Sequence, residues 1–207
     1  MAVIGALVAV SGCTRSVQDA TPQPAPVAAP ISELQVSDLL SPQVAGEDGN
    51  LFVTAEPERC GGLAQEVDPP FLDSRGPLAT DGGHWTTGDA SVFVEEMVAV
   101  FRVDFDPAAA LDDVRQTVEA CRDAPVTVTT MQGRTYVFEV RAAAGDSPQG
   151  SVLWSLRAVD WNCDNTFVAA HNAAVEITTC GSAGGFDVGA LAVEALERIN
   201  ALANTTA

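Results

Sequence analysis

Apolar residues recur at helical spacing in two long stretches of the chain, residues 107–121 and 187–203. Such a stripe is typical of a helix that covers a core with one face. Asp106 precedes the first stretch and Asp187 begins the second, each as an N-cap. A shorter third helix is predicted near residues 36–45. The stripe of the first helix consists of Leu111, Val114, Val118 and Cys121. The stripe of the second consists of Val188, Leu191, Ala195, Ile199 and Leu202.

Six other segments are strand-like, because their residue types suit a sheet and turn signals bound them. They span residues 91–103, 125–131, 134–140, 151–160, 164–170 and 173–179. Gln132-Gly133 offers a tight turn between the second and the third strand. The order is a strand, a helix, a run of antiparallel strands and a closing helix. This order predicts an α+β fold in which helices pack on a meander.

The last two strands predict a disulfide. His171-Asn172 joins them as a two-residue turn, in which Asn172 tolerates the positive φ of a type I′ turn and His171 does so less readily. The numbers of two residues that face each other in this hairpin add up to 343, and 163 and 180 also add up to 343. Cys163 and Cys180 then form a non-hydrogen-bonded pair with Cα atoms about 4.5 Å apart, which a disulfide can span. A bulge would shift this register.

The apolar run over residues 2–10 is too short to span a bilayer and suits a signal peptide. It leads into Val10-Ser11-Gly12-Cys13, which resembles the bacterial lipobox. We therefore expect residues 1–12 to be a lipoprotein signal peptide and Cys13 to carry acyl chains such as palmitate, which anchor a protein stably. No Lys or Arg precedes the run, so we expect the start codon to lie further upstream. No later stretch is long enough for a membrane helix, so contact with the membrane is expected through the N-terminal lipid only.

A proline-rich spacer separates the signal from the rest of the chain. Its prolines are Pro22, Pro24, Pro26 and Pro30. Such a stretch favours an extended polyproline-II conformation. We predict the lipidated cysteine and tether over residues 13–34 and one domain over residues 35–207. The domain is expected on the extracytoplasmic face of the cell membrane, on the cell-wall or periplasmic side.

The charge of the chain excludes several classes of function. There are 28 Asp and Glu against 10 basic residues, all arginine, and the formal net charge is −18. The absence of lysine excludes Schiff-base and phosphate-loop chemistry. Acidity of this degree also opposes binding to nucleic acid and to an anionic membrane surface. The apolar fraction of 47% nevertheless indicates a folded domain.

Four cysteines remain for the domain, and an even count in an exported protein suggests two disulfides, with three connectivities open. If the hairpin register selects Cys163–Cys180, the remaining pair is Cys60–Cys121. No C-x-x-C pair is present, which disfavours a zinc site. We expect neither a metal nor a cofactor.

The chain after the tether resembles the extracellular sensor domain of actinobacterial PknH-type Ser/Thr kinases and its lipoprotein relatives. The resemblance is carried by the Leu39-Leu40 helix, P-E-R-C at residues 57–60, the Ala-rich helix that ends on Cys121, Trp161-Asn162-Cys163, and Cys180-Gly181 with the helix after it. The order and spacing of the cysteines are its most specific part.

This resemblance implies a twisted antiparallel sheet flanked by two or three helices, with a broad cleft that binds an extracytoplasmic ligand. It also implies disulfides between the first and second and between the third and fourth cysteines. Val118 departs from the family pattern, which often has an aromatic residue at that place. The sequence contains no kinase domain, so only ligand recognition carries over from the family.

Few residues suggest catalysis. Ser182 lies in a Gly-rich loop, and His84 and His171 are the only histidines that could assist it. A flexible loop explains Ser182 better, so an exported hydrolase is the weakest hypothesis and we expect no enzyme.

Acidic segments have simple structural explanations as well. Residues 81–85 with Asp89 lack the carboxylate ladder of a calcium loop, and a solvated turn is preferred. Helix capping and a favourable helix dipole explain the remaining acidic pairs better than acid–base catalysis does. Those pairs are Asp104/Asp106 and Asp112/Asp113.

Four aromatic residues are the candidates for ligand binding, because a concave site uses amphipathic rings and the chain has only 6% aromatics. They are Trp85, Tyr136, Trp154 and Trp161. For Trp154 and Trp161, filling the core or covering a disulfide is an equally good explanation. Trp85 is predicted in a Gly-rich loop, where both explanations stand.

The leading hypothesis is a non-enzymatic, lipid-anchored extracytoplasmic domain that binds an unidentified small molecule or cell-envelope component. The alternative is an envelope scaffold that presents its acidic surface to a protein partner.

Overall fold

The described part of the chain begins at residue 29. The computed structural model describes residues 29–46, 52–66, 68–122, 124–142, 147–184 and 186–205. The predicted signal peptide, Cys13 and the tether as far as residue 28 lie outside the described residues. Within the described ranges, no helix has the length and apolar character needed to cross a membrane.

Eight strands form one antiparallel sheet. They are β1 (Phe52–Glu56), β2 (Ala79–Thr86), β3 (Val92–Val100), β4 (Pro125–Thr130), β5 (Thr135–Ala142), β6 (Ser151–Arg157), β7 (Asn162–Ala170) and β8 (Ala173–Gly181). Their order across the sheet is β1-β4-β5-β6-β7-β8-β3-β2. The run from β4 to β8 is the predicted meander, with β1 added at one edge and β3 and β2 at the other. The predicted α+β fold class is confirmed.

Among the described residues, three α-helices accompany the sheet, and the two long ones cover opposite faces. They are α1 (Pro70–Asp73), α2 (Pro107–Cys121) and α3 (Val188–Thr205). The buried stripe of α2 packs with Phe138 and Phe167, which defines the α2 face. The stripe of α3 packs with Val98 and Val175, which defines the α3 face. Because β8 lies beneath both layers, all nine of its residues are buried.

The caps of both long helices are those predicted. Asp106 accepts hydrogen bonds from the backbone N–H groups of Ala108 and Ala109, both at 3.0 Å. Asp187 accepts one from Ala190 at 3.1 Å. These bonds satisfy N–H groups that have no partner inside the helix, which explains why each helix begins where it does.

The third predicted helix differs in type and position. Glu33–Leu39 form a 3₁₀ helix, whereas residues 36–45 were expected. Ser32 and Gln35 form a capping box, in which the Ser32 backbone N–H donates to Oε1 of Gln35 at 3.1 Å, so the helix begins earlier. A second 3₁₀ helix, Glu58–Leu63, carries Cys60.

The sequence pattern does not predict β1 and β2. The solvated turn expected at residues 81–85 is wrong, because this Gly-rich segment lies inside β2 and pairs with β3. Gly83 has a steric reason. A Cβ on Gly83 would lie 2.8 Å from the backbone carbonyl oxygen of Gly46 and would clash with Val44, so glycine at this position lets the preceding segment cross the strand.

The β7–β8 hairpin has the predicted register. Cys163 faces Cys180 with Cα atoms 4.2 Å apart, and the two form a disulfide. The second disulfide joins Cys60 to Cys121 and so ties the second 3₁₀ helix to the end of α2. The positive φ of the hairpin turn falls on His171, at 52°, where the sequence favoured Asn172.

Candidate functional site

Two of the four predicted aromatic residues meet at one place. Tyr136 of β5 and Trp161, in the turn before β7, have ring centroids 6.5 Å apart and ring planes inclined by 30°. Both side chains are half-buried and line the same cavity.

Phe52 and Phe93 continue the aromatic wall of this cavity. Ring centroids lie 6.3 Å apart for Phe52 and Tyr136, and 6.2 Å apart for Phe93 and Trp161. Phe52 is buried, whereas 38% of Phe93 is exposed. We call the cavity bounded by these four rings the aromatic pocket.

Four polar residues complete the lining of the aromatic pocket, which has a volume of about 240 Å³, and we call them its rim. They are Thr130, Gln132, Arg134 and Asp160. The guanidinium carbon of Arg134 lies 5.5 Å from the centroid of the Tyr136 ring, within cation–π range. Arg134 and Asp160 add one charge of each sign. The pocket therefore offers apolar ring faces on its walls and hydrogen-bonding groups at its mouth.

The order of the strands brings these residues together. Phe52 pairs with Thr130 where β1 meets β4. Phe93 pairs with Cys180, which in turn faces Cys163 of β7. Strands that are distant along the chain thus place their aromatic residues near one end of the β7–β8 hairpin.

Local contacts fix the turn that carries Trp161. The backbone N–H of Ala158 donates to the carbonyl oxygen of Trp161 at 3.0 Å. Arg157 donates to the carbonyl oxygen of Cys163 at 2.7 Å and forms an ion pair with Asp164. The disulfide of Cys163 holds the next strand in place, so the indole is attached to a rigid part of the sheet.

Buried Glu66 lies beside the aromatic pocket and acts electrostatically on a second buried carboxyl, that of Glu176. A carboxylate oxygen of Glu66 accepts a hydrogen bond from the backbone N–H of Phe52 at 3.1 Å. Burial first, and then the Glu66 carboxyl, raises the pKa of Glu176 well above its usual value. Neither side-chain amide atom of the fully buried Asn165 has a hydrogen-bond partner. This interior region therefore favours the protonated form of Glu176.

The other two predicted aromatic residues lie elsewhere. Trp154 of β6 is fully buried, and its Nε1 donates to the carbonyl oxygen of Leu63 at 2.9 Å. Trp85 lies in β2, with its ring 5.9 Å from that of Phe186 and its Nε1 donating to Glu96 at 3.1 Å. Both indoles thus have structural partners away from the aromatic pocket.

The residues considered for catalysis do not come together. Ser182 directly follows β8, whereas His171 forms the turn at the opposite end of that strand, where its Nε2 contacts Asn200 at 3.0 Å. His84 lies in β2, paired in register with Glu95. Among the residues that the structure describes, no three His, Cys, Asp or Glu side chains are grouped so that they could hold a metal ion.

Of the acidic residues on and before α2, Asp106 has the capping role expected of it, whereas Asp112 and Asp113 lie beyond the first turn of the helix and form ion pairs instead. Asp106 caps the helix, Asp112 pairs with Arg115 at 2.6 Å, and Asp113 pairs with Arg75 at 2.6 Å. Asp89 accepts hydrogen bonds from Thr87 and Ser91, which lower its pKa to about 2.

Larger cavities are present near the point where the chain enters the domain. One of about 630 Å³ includes Arg75, Arg102 and Phe105 in its walls, and one of about 640 Å³ includes Ile31 and Val103. Size alone does not identify a binding site. The aromatic pocket is the better candidate because four rings and a mixed polar rim converge there.

Sequence reasoning missed Phe52, Phe93 and Arg134. Phe93 and Met97 recur with a period of two on one side of β3, a pattern that points Phe93 to the α2 face. Phe52 gives no comparable signal, because β1 is short and contains a bulge.

Comparison with known proteins gives one family and a similar structure. The family described as the PknH-like extracellular domain matches residues 17–198. The crystal structure of the extracellular domain of PknH from Mycobacterium tuberculosis has a TM-score of 0.64 and 18% sequence identity, covering 84% of this chain and 98% of that one. At this identity the likeness shows the fold alone. Among curated protein sequences, none matches.

Proposed function

The chain belongs to the PknH-like extracellular domain family, and on that premise we propose that it binds a small ligand from the cell envelope in its aromatic pocket. In this proposal the protein is a lipid-anchored extracytoplasmic domain without enzymatic activity. The observation that carries this proposal is the convergence of Phe52, Phe93, Tyr136 and Trp161 around one cavity. The family supports the extracytoplasmic location. The ligand and the lipid anchor are our inference.

The rigidity of the pocket supports a binding role. Trp161 is held by a closed turn and by the neighbouring disulfide, and Phe52 by its backbone bond to Glu66. A site that is formed in advance loses less conformational entropy when a ligand binds.

The binding proposal is tested on the full chain by thermal shift with envelope extract, fractionated into sugars, lipids and small metabolites. We expect at least one fraction to raise the melting temperature of the wild type and not that of Trp161→Ala. Trp85→Phe is the matched control, because it alters an indole away from the aromatic pocket. The proposal fails if no fraction raises the melting temperature, or if a fraction raises that of Trp161→Ala as much as that of the wild type.

The anchor is proposed from Val10-Ser11-Gly12-Cys13. Two acyl chains attach a protein stably, and an anchor of this kind would overcome repulsion between an anionic membrane and a domain of net charge −18. Cys13→Ser is expected to move the protein from the membrane fraction to the soluble fraction, with Ser11→Ala as a control that keeps a small residue. Retention of Cys13→Ser on membranes contradicts the anchor.

The net charge also favours a second candidate function, in which the acidic surface binds a basic protein partner. Crosslinking in intact cells distinguishes this scaffold function from ligand binding in the aromatic pocket. A stoichiometric partner that is lost at high salt, and unaffected by Trp161→Ala, favours the scaffold.

A further inference from the structure

We propose that the ligand of the aromatic pocket is a saccharide, and that one pyranose-type ring lies against Tyr136 and Trp161 while its hydroxyl groups bond the rim. This inference rests on the proposed function and specifies the chemical class of the ligand at the same site.

The spacing of the aromatic rings is the first argument. Phe101 and Phe105 show what closed stacking looks like in this protein, with centroids 4.2 Å apart and planes inclined by 6°. The planes of Tyr136 and Trp161 are inclined by 30°, their centroids are 6.5 Å apart, and both half-buried rings line the cavity. Part of each ring face is therefore open. A pyranose has apolar C–H faces that can lie against such rings, whereas its edge is polar.

The rim is the second argument. Arg134 supplies donors, Asp160 supplies acceptors, and Gln132 and Thr130 supply both. A ring that carries several hydroxyl groups, each a donor and an acceptor, can use this mixture. A purely apolar ligand would leave these groups without partners, which costs affinity.

Charge and size exclude other classes. The two charged groups of the rim cancel, and the net charge of −18 repels anions at long range. The positive charge of Arg134, 5.5 Å from the centroid of the Tyr136 ring, disfavours a second cation beside that ring but not a neutral ligand. A volume of about 240 Å³ is below the usual range for drug-sized ligands, so it suits a single ring.

The test measures binding of defined probes to the full 207-residue chain by NMR saturation transfer and calorimetry. The probes are methyl glucopyranoside, methyl mannopyranoside, N-acetylglucosamine and short oligosaccharides of each, with choline and hexanol as comparison compounds. We expect saturable binding of at least one saccharide. Trp161→Ala is expected to weaken it by at least about tenfold.

Other variants show whether a loss of binding comes from the missing ring or from misfolding of the domain. Trp161→Phe keeps a ring face and is expected to restore part of the affinity. Asp160→Asn alters only the rim and should change the preference among sugars that differ in one hydroxyl. Trp85→Phe should bind as the wild type does.

The outcomes separate this inference from the proposed function. Saccharide binding that depends on Trp161 supports both. The saccharide inference is overturned if choline or hexanol binds in place of the sugars. It is also overturned if an envelope fraction binds in a Trp161-dependent way but contains no saccharide. Either result leaves the proposed binding function of the aromatic pocket intact. The inference is overturned if sugars bind to Trp161→Ala and to Asp160→Asn with the same affinity as to the wild type.

Discussion

Asn172 holds the backbone of Ile31 through both ends of its side-chain amide. Oδ1 accepts a hydrogen bond from the N–H of Ile31 at 2.9 Å, and Nδ2 donates to the carbonyl oxygen of Ile31 at 2.9 Å. Nδ2 also donates to the carbonyl oxygen of Phe101 at 2.8 Å. One buried residue thus fastens the segment that enters the domain to the turn of the β7–β8 hairpin and to the end of β3.

Asn172→Ala is expected to lower the free energy of unfolding by about 3 kcal/mol, because three hydrogen bonds to buried backbone groups are lost at about 1 kcal/mol each. Urea unfolding measures the change. Asn200→Ala is the matched control, since that amide makes an exposed contact with His171 and its loss should cost no more than about 0.5 kcal/mol. Equal losses in the two variants contradict the role of Asn172.

Glu96→Gln is expected to destabilise the domain by up to about 3–5 kcal/mol, because the Arg198 guanidinium loses its buried counter-charge and keeps only Glu194. Oε2 of the fully buried Glu96 accepts from Arg198 at 3.3 Å and from the backbone N–H of Ser41 at 3.0 Å. Oε1 accepts from Trp85.

Chemical denaturation followed by Trp fluorescence measures this loss. Glu139→Gln is the control, because its ion pair with Arg141 is exposed and contributes about 1 kcal/mol or less. A Glu96 variant as stable as the Glu139 variant would rule out this network as a stabilising element.

Glu176→Gln is expected to make stability less dependent on pH. Burial and Glu66 raise the pKa of Glu176 well above 4.5, so folding favours its protonated form. Its contribution is fully present below the unfolded pKa of about 4.5 and is lost as pH rises through the folded pKa. The variant should therefore gain stability relative to the wild type between pH 4.5 and pH 8.

Urea unfolding of both proteins across that range provides the measurement. Asp73, whose pKa is raised by burial first and then by Asp68, acts in the same direction in both proteins and cancels in the difference. Asp89→Asn is the control of opposite sign, because a pKa near 2 means that its contribution is lost only as pH falls below about 4. A constant difference between wild type and Glu176→Gln over the range would refute the prediction.

Paired Cys→Ser variants are expected to show that the two disulfides stabilise the domain unequally. The bond between Cys60 and Cys121 spans 61 residues and is worth about 4 kcal/mol in the chain-entropy model, against about 3 kcal/mol for the 17-residue span of the hairpin bond. Loss of the longer link should also speed hydrogen exchange in the second 3₁₀ helix. Faster exchange confined to β7 and β8 in that variant argues against this role.

The sequence predicts best those elements that local rules determine. The α2 helix follows from one cap and one stripe, and the register of Cys163 and Cys180 follows from counting out from a turn. β2 escapes prediction because its glycines look like a loop, and the reason for Gly83 is the approach of Val44 and Gly46, which no local pattern encodes. The site is only half predictable for the same reason. Tyr136 and Trp161 stand out as rare aromatics, but Phe52 reaches them only through the pairing of β1 with β4.

The β7–β8 hairpin also separates the aromatic pocket from the point where the chain enters the domain. Each strand has nine residues, so about 26 Å separate the turn at His171 from the cysteines beside Trp161. The chain enters at the turn, next to Asn172, and the pocket lies at the opposite pole. If the anchor proposed at Cys13 holds the domain, the aromatic pocket lies at the end remote from the attachment and is reached from the side away from the membrane.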